Sequence, residues 1–372
     1  MIRLSKSDIS LQEKNAVIKV LTNEFLGMGE EVRNFESDLS SYFDCPVACV
    51  SNGTAALHLS LQALGIGPGD EVLVQTITYV ASFQAISATG AKPIACDVDL
   101  NTLTIDLKDA EKRITDRTKA IMLVHYAGGV GNLDAAYQFA KNFGLRVIED
   151  AAHAFGSAYL GCPVGSNADI ACFSFDGIKN ITSGEGGCVV TKDANILKKI
   201  QDTRLLGVEN DTKARFSNSR SWDFDVKMQG WRYHMSDIMA AIGRVQLKRL
   251  NDFSKTRRSL ARFYDNALSK YQRISFIKQD YNSVVPHIYP IRISGLSLED
   301  REQLRQKLEI NGIQIGVHYK PNHLLSFFSD DSINPRYKAE SIYSELLSLP
   351  LHTGLKQVDI EYVISNLISE IL

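Results

Sequence analysis

The first half of the chain alternates short β-rich runs with longer helical runs, and this alternation constrains the fold more than any other feature. Strand-like runs lie at 46–51, 71–75, 92–98, 119–126, 145–150, 169–175 and 187–191. They are apolar on both faces, and helical segments such as 54–65 and 133–144 lie between the earlier ones. This pattern predicts an α/β fold with a mostly parallel, seven-stranded sheet that is covered on both sides. The last two runs are too close for a helical crossover, so we expect an antiparallel strand there.

The second half predicts a smaller α/β unit. Residues from about 232 to 270 carry apolar side chains at helical spacing, and strand-like runs follow at 284–294 and 313–318. A helix between these two runs begins at SLEDRE, which has a serine cap and an acidic first turn. We therefore predict a large domain at 1–244 and a small C-terminal α/β domain at 245–372. The polar stretch 207–225 is predicted to be a loop.

Composition and motif content give no support to several classes of function. The net charge is -2, from 41 basic and 43 acidic residues, which gives no electrostatic reason to expect nucleic acid or an anionic membrane as partner. No apolar run is long enough to span a membrane, and the N-terminus lacks a signal-peptide pattern, so we expect a cytoplasmic protein. The cysteines form no CxxC pair and the histidines no HxxxH or HExxH pattern, so no metal site is predicted.

Lys179 lies in the segment SFDGIKNITSGEGG, residues 174–187, between two buried strands. A neutral amine at such a place can attack the aldehyde of pyridoxal phosphate and form a Schiff base. Taken alone, the segment favours a lysine that reaches solvent from the end of a strand. The motifs around it reverse that preference.

Asp150 ends the strand-like run in VIEDAAHAFGS, at the sheet edge where open α/β folds bind ligands. A carboxylate there can pair with a pyridinium nitrogen and keep it protonated. A buried aspartate needs a cationic partner, since leaving it unpaired costs several kcal/mol. Glu149 points to the opposite face and is predicted to make a structural contact. His153 either bonds the 3-hydroxyl of the cofactor or has a structural role.

Two further segments suit a phosphorylated aromatic cofactor. In SNGTAAL, residues 51–57, Gly53 provides a turn and Thr54 opens a helix whose first N–H groups suit a phosphate dianion, although this is also an ordinary capping sequence. Ser174 would add a hydroxyl to the same phosphate. Tyr79 follows a strand and either stacks on the pyridine ring or is a core tyrosine.

The motifs NGTAAL, TYVAS, IEDAAHA and SFxxxKNITSGEGG, in this order and at these distances, resemble the sugar-nucleotide aminotransferases of the DegT/StrS type. That family has the aspartate-aminotransferase fold (fold type I), and the resemblance extends over nearly the whole chain. It implies a pyridoxal 5'-phosphate enzyme in which Lys179 is the Schiff-base and proton-shuttling residue and Asp150 the partner of the ring nitrogen. The remaining positions match a ring-stacking residue (Tyr79), phosphate binders (Gly53, Thr54, Ala55 and Ser174), a contact to the 3-oxygen (His153) and a sugar-side segment (His318, Tyr319 and His323).

The segment GWRYHMS, residues 230–236, departs from the family pattern GxNYRxS. Arg232 stands at the usual asparagine, which typically reaches the cofactor phosphate of the neighbouring subunit, and His234 stands at the usual arginine. Arg232 is the candidate for the same contact, made with a full charge. The resemblance also implies a homodimer with active sites at the interface.

The resemblance predicts a ping-pong transamination from L-glutamate to a nucleotide-linked 4-keto-6-deoxyhexose, chiefly a dTDP-sugar. Lys179 argues against the dehydratase branch, which has histidine there, and KNITSGEGG resembles relatives that aminate C4. The product would be a 4-amino-4,6-dideoxy sugar nucleotide for O-antigen or other surface-glycan synthesis. Alternatives are amination at C3 or of a cyclitol ketone, and a non-catalytic regulatory or binding protein with this fold.

Overall fold

The computed structural model describes residues 1–217, 219, 223–329 and 337–371. The strands are β1 (Val47–Val50), β2 (Glu71–Gln75), β3 (Lys92–Cys96), β4 (Thr118–Val124), β5 (Arg146–Asp150), β6 (Ala158–Tyr159), β7 (Cys162–Pro163), β8 (Ile170–Ser174), β9 (Gly187–Val190), β10 (Ile274–Phe276), β11 (Tyr289–Ile293) and β12 (Leu346–Leu349). The α-helices are α1 (Leu11–Thr22), α2 (Glu30–Phe43), α3 (Gly53–Ala63), α4 (Val80–Ala88), α5 (Leu107–Lys112), α6 (Leu133–Asn142), α7 (Ala194–Thr203), α8 (Asp211–Phe216), α9 (Asp237–Leu268), α10 (Leu298–Ile310), α11 (Lys338–Tyr343) and α12 (Gln357–Ile371).

The large sheet has seven strands in the order β1-β9-β8-β5-β4-β2-β3. All neighbours pair in parallel except β9, which is antiparallel to both β1 and β8. The seven strand-like runs of the sequence correspond to these strands, and the antiparallel one lies at the end of the series. The predicted fold class is confirmed.

Helices cover both faces of this sheet because alternate strand residues point to opposite sides. Phe173 belongs to an apolar cluster with Phe35 of α2 and Phe253 of α9. Its neighbour Cys172 belongs to a second cluster with Leu57 of α3. Strands that are apolar on both faces therefore form the middle layer of a three-layer structure.

The C-terminal unit has a three-stranded antiparallel sheet, β10-β11-β12, and a core of its own shared with α9, α10 and α12. The helix at SLEDRE forms as predicted, with a capping box between Ser297 and Asp300. The helix α9 has 32 residues and runs through the boundary placed at 244 and 245. That boundary stays a prediction.

Two sequence expectations need correction. The run 313–318 was expected to be a strand, but it makes only isolated bridges, from Ile313 to Ile2 and from Gly316 to Ser348. Its apolar residues stand at alternate positions, as in a strand. Each neighbouring segment pairs with it at a single position, however, so no β-ladder forms. The predicted loop at 207–225 contains the short helix α8, in which Asp211 pairs with Arg215 at 2.8 Å. Residues 218 and 220–222 of that stretch lie outside the described part of the chain.

The carboxyl ends of β1, β2, β4, β5 and β8 lie along one edge of the sheet, because these strands run in the same direction. The sequence motifs follow directly after these ends, so the fold collects them above one edge. Among the helices of the described ranges, none is both long and apolar enough to cross a membrane.

Candidate active site

A cleft of about 500 Å³ opens at this edge of the sheet. Nine of the predicted site residues line it: Gly53, Thr54, Tyr79, Asp150, His153, Ser174, Lys179, His318 and Tyr319. The predicted residues Ala55, Arg232 and His323 are not among its lining residues. Side chains from five strand ends and from the C-terminal unit thus converge on one cavity.

Lys179 lies on a tightly held turn between β8 and β9. The Phe175 N–H donates to the Gly186 carbonyl and the Ser183 N–H to the Phe175 carbonyl, both at 2.8 Å. Burial lowers the pKa of the Lys179 amine to about 8, partly opposed by the carboxylates of Asp150 and Asp176. A large fraction of the amine is therefore neutral, and nucleophilic, in mildly alkaline solution.

Asp150 is buried in the floor of the cleft and is held by two donors. The Ser82 hydroxyl donates to Oδ2 at 2.7 Å, and the Ala152 N–H donates to Oδ1 at 3.3 Å. Burial raises the pKa of this carboxyl. No ion pair to Asp150 occurs within the described ranges. Within these ranges, the cationic partner that a buried Asp150 was predicted to need is thus not a protein side chain. A cationic ligand would provide that partner.

Glu149 belongs to the opposite face of β5, as strand alternation predicts. Its Oε2 lies 2.7 Å from Nε2 of His125, and its Oε1 accepts a hydrogen bond of 2.7 Å from the Tyr137 hydroxyl. Both carboxylate oxygens are therefore engaged away from the cleft, in structural contacts. Adjacent acidic residues on one strand have separate roles because their side chains leave the sheet on opposite sides.

The N-terminus of α3 forms one end of the cleft. Its first N–H groups, those of Gly53 and Thr54, have no partner within the helix. A Cβ atom at Gly53 would lie only 2.8 Å from the Cβ of Ser174, so glycine permits this close approach of the helix to β8. The Ala55 N–H differs, because it donates to the Asn52 side chain at 2.8 Å. Helix N–H groups and two hydroxyls at one place form a site for an anion such as phosphate.

Aromatic side chains form the rim. Tyr79 precedes α4 and is 59% exposed, so it is not a core tyrosine. Its ring centroid lies 5.8 Å from that of Tyr319, whose hydroxyl is 3.1 Å from Nε2 of His153. Nδ1 of His153 is buried and has no partner in the described structure. This ring nitrogen is a polar atom that a ligand could satisfy.

The segment 318–323 contributes unequally to the cleft. His318 lines it and is anchored by a 2.8 Å contact between Nδ1 and the Ser348 hydroxyl. His323 lies apart, with Nδ1 at 2.6 Å from the Thr76 hydroxyl and Nε2 at 3.1 Å from Glu340. Its contacts fasten this segment to the end of β2. Any influence of His323 on the cleft is therefore indirect.

Arg232 lies on a segment that runs along β1. The Ser51 N–H donates to the Tyr233 carbonyl at 2.6 Å, and Arg232 itself makes a bridge to Leu205. The Arg232 side chain is exposed and lies outside the cleft that contains Lys179.

Sequence reasoning missed several residues that line the cleft, among them Asn52, Thr78, Asp176, Glu185 and His287. The first four lie within or next to the motifs already singled out, so proximity in the sequence could have indicated them. His287 lies 108 residues from Lys179, yet its Nε2 is 3.4 Å from the lysine Nζ. No local pattern indicates a contact over that separation.

A larger cavity of about 640 Å³ lies between the 99–108 segment and α6. It contains none of the predicted site residues. Its one histidine, His125, is already engaged by Glu149. The smaller cleft is therefore the candidate active site, since it combines an amine of lowered pKa, a buried carboxylate and a site for an anion.

Comparison with known proteins decides the family. The model of the DegT/DnrJ/EryC1/StrS aminotransferase family matches residues 7–368. The chain belongs to this family. A dTDP-4-dehydro-2,3,6-trideoxy-D-glucose 4-aminotransferase of Saccharopolyspora spinosa is 33% identical over 368 residues, covering 98% of this chain and 95% of that protein. The spore coat polysaccharide biosynthesis protein SpsC of Bacillus subtilis is 34% identical over 367 residues, covering 96% and 93% respectively.

A solved structure agrees with this assignment. Spr1654 of Streptococcus pneumoniae in its apo form is 33% identical, with a TM-score of 0.91 over 99% of this chain and 96% of that one. The same protein has been solved in PMP and PLP forms. By its family and its structural neighbours, the present chain is thus a pyridoxal-phosphate-dependent sugar aminotransferase. Three features of the described residues fit that cofactor. Asp150 is buried without an ion-pair partner, Nδ1 of His153 has no partner, and Gly53 permits the close approach of α3 to β8.

Proposed function

We propose that this aminotransferase transfers the amino group of L-glutamate to a nucleotide-linked 4-keto-6-deoxyhexose, with dTDP-4-keto-6-deoxy-D-glucose as the first candidate. The product is a 4-amino-4,6-dideoxy sugar nucleotide for O-antigen or another surface glycan. One observation supports this above all: Lys179, whose amine has a lowered pKa, and the buried Asp150 line one cleft that ends at the N-terminus of α3.

Pyridoxal phosphate, when bound, supplies an electron sink that stabilises negative charge on the carbon next to the amino group. Lys179 would bond the cofactor carbonyl, and its free amine would move the proton to and from that carbon. Asp150 would keep the ring nitrogen charged. The Gly53 and Thr54 N–H groups, with the hydroxyls of Thr54 and Ser174, would hold the phosphate.

The other predicted residues have proposed roles that follow from their positions. Tyr79, at the exposed rim, would cover the ring face. His153 would bond the 3-oxygen through its unpartnered Nδ1. His318 and Tyr319 would contact the sugar, whereas His323 would act only by holding their segment against Thr76. Ala55 would contribute little, because its N–H is already bonded to Asn52.

Two observations support C4 as the position of amination. The segment KNITSGEGG resembles that of C4-aminating relatives. The Saccharopolyspora spinosa relative is named as a 4-aminotransferase of a dTDP-linked sugar. The name of the Bacillus subtilis relative, a polysaccharide biosynthesis protein, supports a role in surface glycans.

A spectrum followed by a substrate comparison tests this function. We expect a visible absorption band from the lysine-linked cofactor that is lost when L-glutamate is added, because the amino group moves to the cofactor. A 4-keto sugar nucleotide then restores the band faster than its 3-keto isomer or a cyclitol ketone. Faster restoration by either alternative contradicts C4 amination. A band that ignores glutamate contradicts glutamate as donor and points to the regulatory alternative.

Arg232 is proposed to bind the cofactor phosphate of the partner subunit in a homodimer. Lys179→Ala and Arg232→Ala variants should each be weakly active alone. After they are unfolded and refolded together, about a quarter of the wild-type activity should return, since half of the dimers are mixed and each of these has one intact site. Mixing either variant with itself is the control. No recovery in verified mixed dimers would show that Arg232 does not act across the interface.

A further inference from the structure

We propose that His287 is a positioning residue for Lys179, whose amine donates a hydrogen bond to Nε2 of the neutral imidazole. This inference rests on the proposed role of Lys179. It adds a residue from the C-terminal half of the chain to the apparatus that the motifs of the first half supply.

The contact joins a half-buried lysine to a buried histidine. The Lys179 Nζ lies 3.4 Å from Nε2 of His287, and His287 is only 4% exposed. The His287 ring packs against the His153 ring, with centroids 4.4 Å apart. Little water reaches the contact from the side of His287. The lysine amine needs a hydrogen-bond partner whenever it is not bonded to the cofactor.

The His287 backbone is held from two directions. Its N–H donates to the Ala127 carbonyl at 3.3 Å, and its carbonyl accepts from the buried Arg257 guanidinium at 3.1 Å. Just before it, the Val285 N–H donates to the Ser157 hydroxyl at 2.9 Å, and the Val285 carbonyl accepts from the Asn180 side chain at 3.4 Å. Asn180 directly follows Lys179. The bond between Asn180 and Val285 therefore ties the Lys179 segment to the His287 segment. Such support is what holds a functional side chain in place.

The electrostatic environment keeps the imidazole neutral. Burial, then the positive charge of Lys179, holds the pKa of His287 well below its usual range. The titratable and charged groups that face this pair are Asp150, Asp176, His153, Arg257 and His318. A neutral imidazole can accept a hydrogen bond from an amine or an ammonium, whereas a protonated one would repel it.

The neighbouring imidazoles are engaged elsewhere. Nε2 of His153 contacts the Tyr319 hydroxyl at 3.1 Å, and Nδ1 of His318 contacts the Ser348 hydroxyl at 2.8 Å. His287 is the histidine whose ring nitrogen the structure brings to the Lys179 amine. An acceptor Nε2 places the proton on Nδ1, which is buried and has no partner in the described part of the chain. Buried N–H groups usually have a partner, so an unpartnered one calls for an explanation. The need for Nε2 to accept a bond from Lys179 provides one.

The test compares two replacements of His287 in the otherwise intact protein. His287→Leu removes the acceptor and keeps an apolar side chain of similar bulk, whereas His287→Gln retains an acceptor near the position of Nε2. The rate at which the apo protein captures pyridoxal 5'-phosphate is followed by visible absorbance across pH. Only the neutral amine reacts, so this profile reports the pKa of Lys179 without any turnover.

We expect the wild-type capture rate to rise with pH through about 8, where burial sets the Lys179 pKa. A hydrogen bond to an acceptor favours the charged amine, so His287→Leu should lower the midpoint by about one pH unit, while His287→Gln should stay near the wild type. His352→Leu is the matched control, since His352 is equally buried but lies outside the cleft. A midpoint that is unchanged or raised in His287→Leu overturns the proposal.

A folding defect would not obscure the answer. If His287→Leu does not fold, as judged by circular dichroism, His287→Asn replaces it, because its shorter side chain withdraws the acceptor from Lys179. An unshifted midpoint in that variant overturns the proposal in the same way. Failure of the wild type itself to form the visible band would instead contradict the role of Lys179, so the two failures are distinguishable.

Discussion

Replacing Lys179 with alanine should lower steady-state transamination by at least about three orders of magnitude. In the proposed function this change removes both the amine that bonds the cofactor and the group that moves the proton. Proton transfer by a positioned side chain alone accounts for roughly 10²- to 10⁴-fold. Both roles depend on a neutral amine, which burial favours by lowering the pKa of Lys179 to about 8. The measurement is 2-oxoglutarate release with L-glutamate and the preferred keto sugar.

Lys112→Ala is the control for this variant, since Lys112 is exposed on α5 and absent from the cleft lining. It should retain both turnover and the visible absorption band, whereas Lys179→Ala should lose both. Retention of more than about a tenth of the wild-type rate in Lys179→Ala would contradict the assigned role, because no second amine could replace both functions so efficiently.

The part of this site that the sequence predicts is the part built from strand ends. Asp150 and Ser174 end buried parallel strands and Lys179 follows the second of these, and parallel strands bring their carboxyl ends to one edge. The same logic separates Asp150 from Glu149, because adjacent residues of a strand face opposite sides. Local pattern and fold topology together are therefore sufficient for these residues.

The contribution of the C-terminal half is not predictable in this way. Contacts distant in sequence hold His287 beside Lys179, among them the bond between Val285 and Asn180 and the bond from Arg257 to the His287 carbonyl. Such contacts depend on how two units pack, and no periodicity records them. The expected strand at 313–318 was wrong for a related reason. The alternation of apolar residues indicates which side is buried, but it does not indicate whether another segment pairs along the whole run.

The two neighbouring carboxylates make a matched pair of isosteric variants. Asp150→Asn should lower turnover by roughly two to four orders of magnitude, because losing one partner of a buried charge pair costs about 3–5 kcal/mol. The amide keeps the size of the side chain and its contact to the Ser82 hydroxyl, so the fold should survive. Glu149→Gln should have the opposite profile, with a lower melting temperature from its weakened contacts to His125 and Tyr137 but turnover within about tenfold of the wild type.

A cofactor analogue tests whether Asp150 acts through its negative charge or only through the space that its side chain fills. Pyridoxal phosphate methylated at the ring nitrogen carries a permanent positive charge and needs no carboxylate to remain protonated. Asp150→Asn should therefore turn over at least about tenfold faster with the analogue than with the natural cofactor, whereas Glu149→Gln should not gain. The wild type should lose activity with the analogue, because the added methyl group would crowd the buried Asp150 carboxylate if that carboxylate holds the ring nitrogen. If Asp150→Asn turned over at the wild-type rate with the natural cofactor, the ring nitrogen would not depend on this carboxylate, and the buried Asp150 would require another cationic partner.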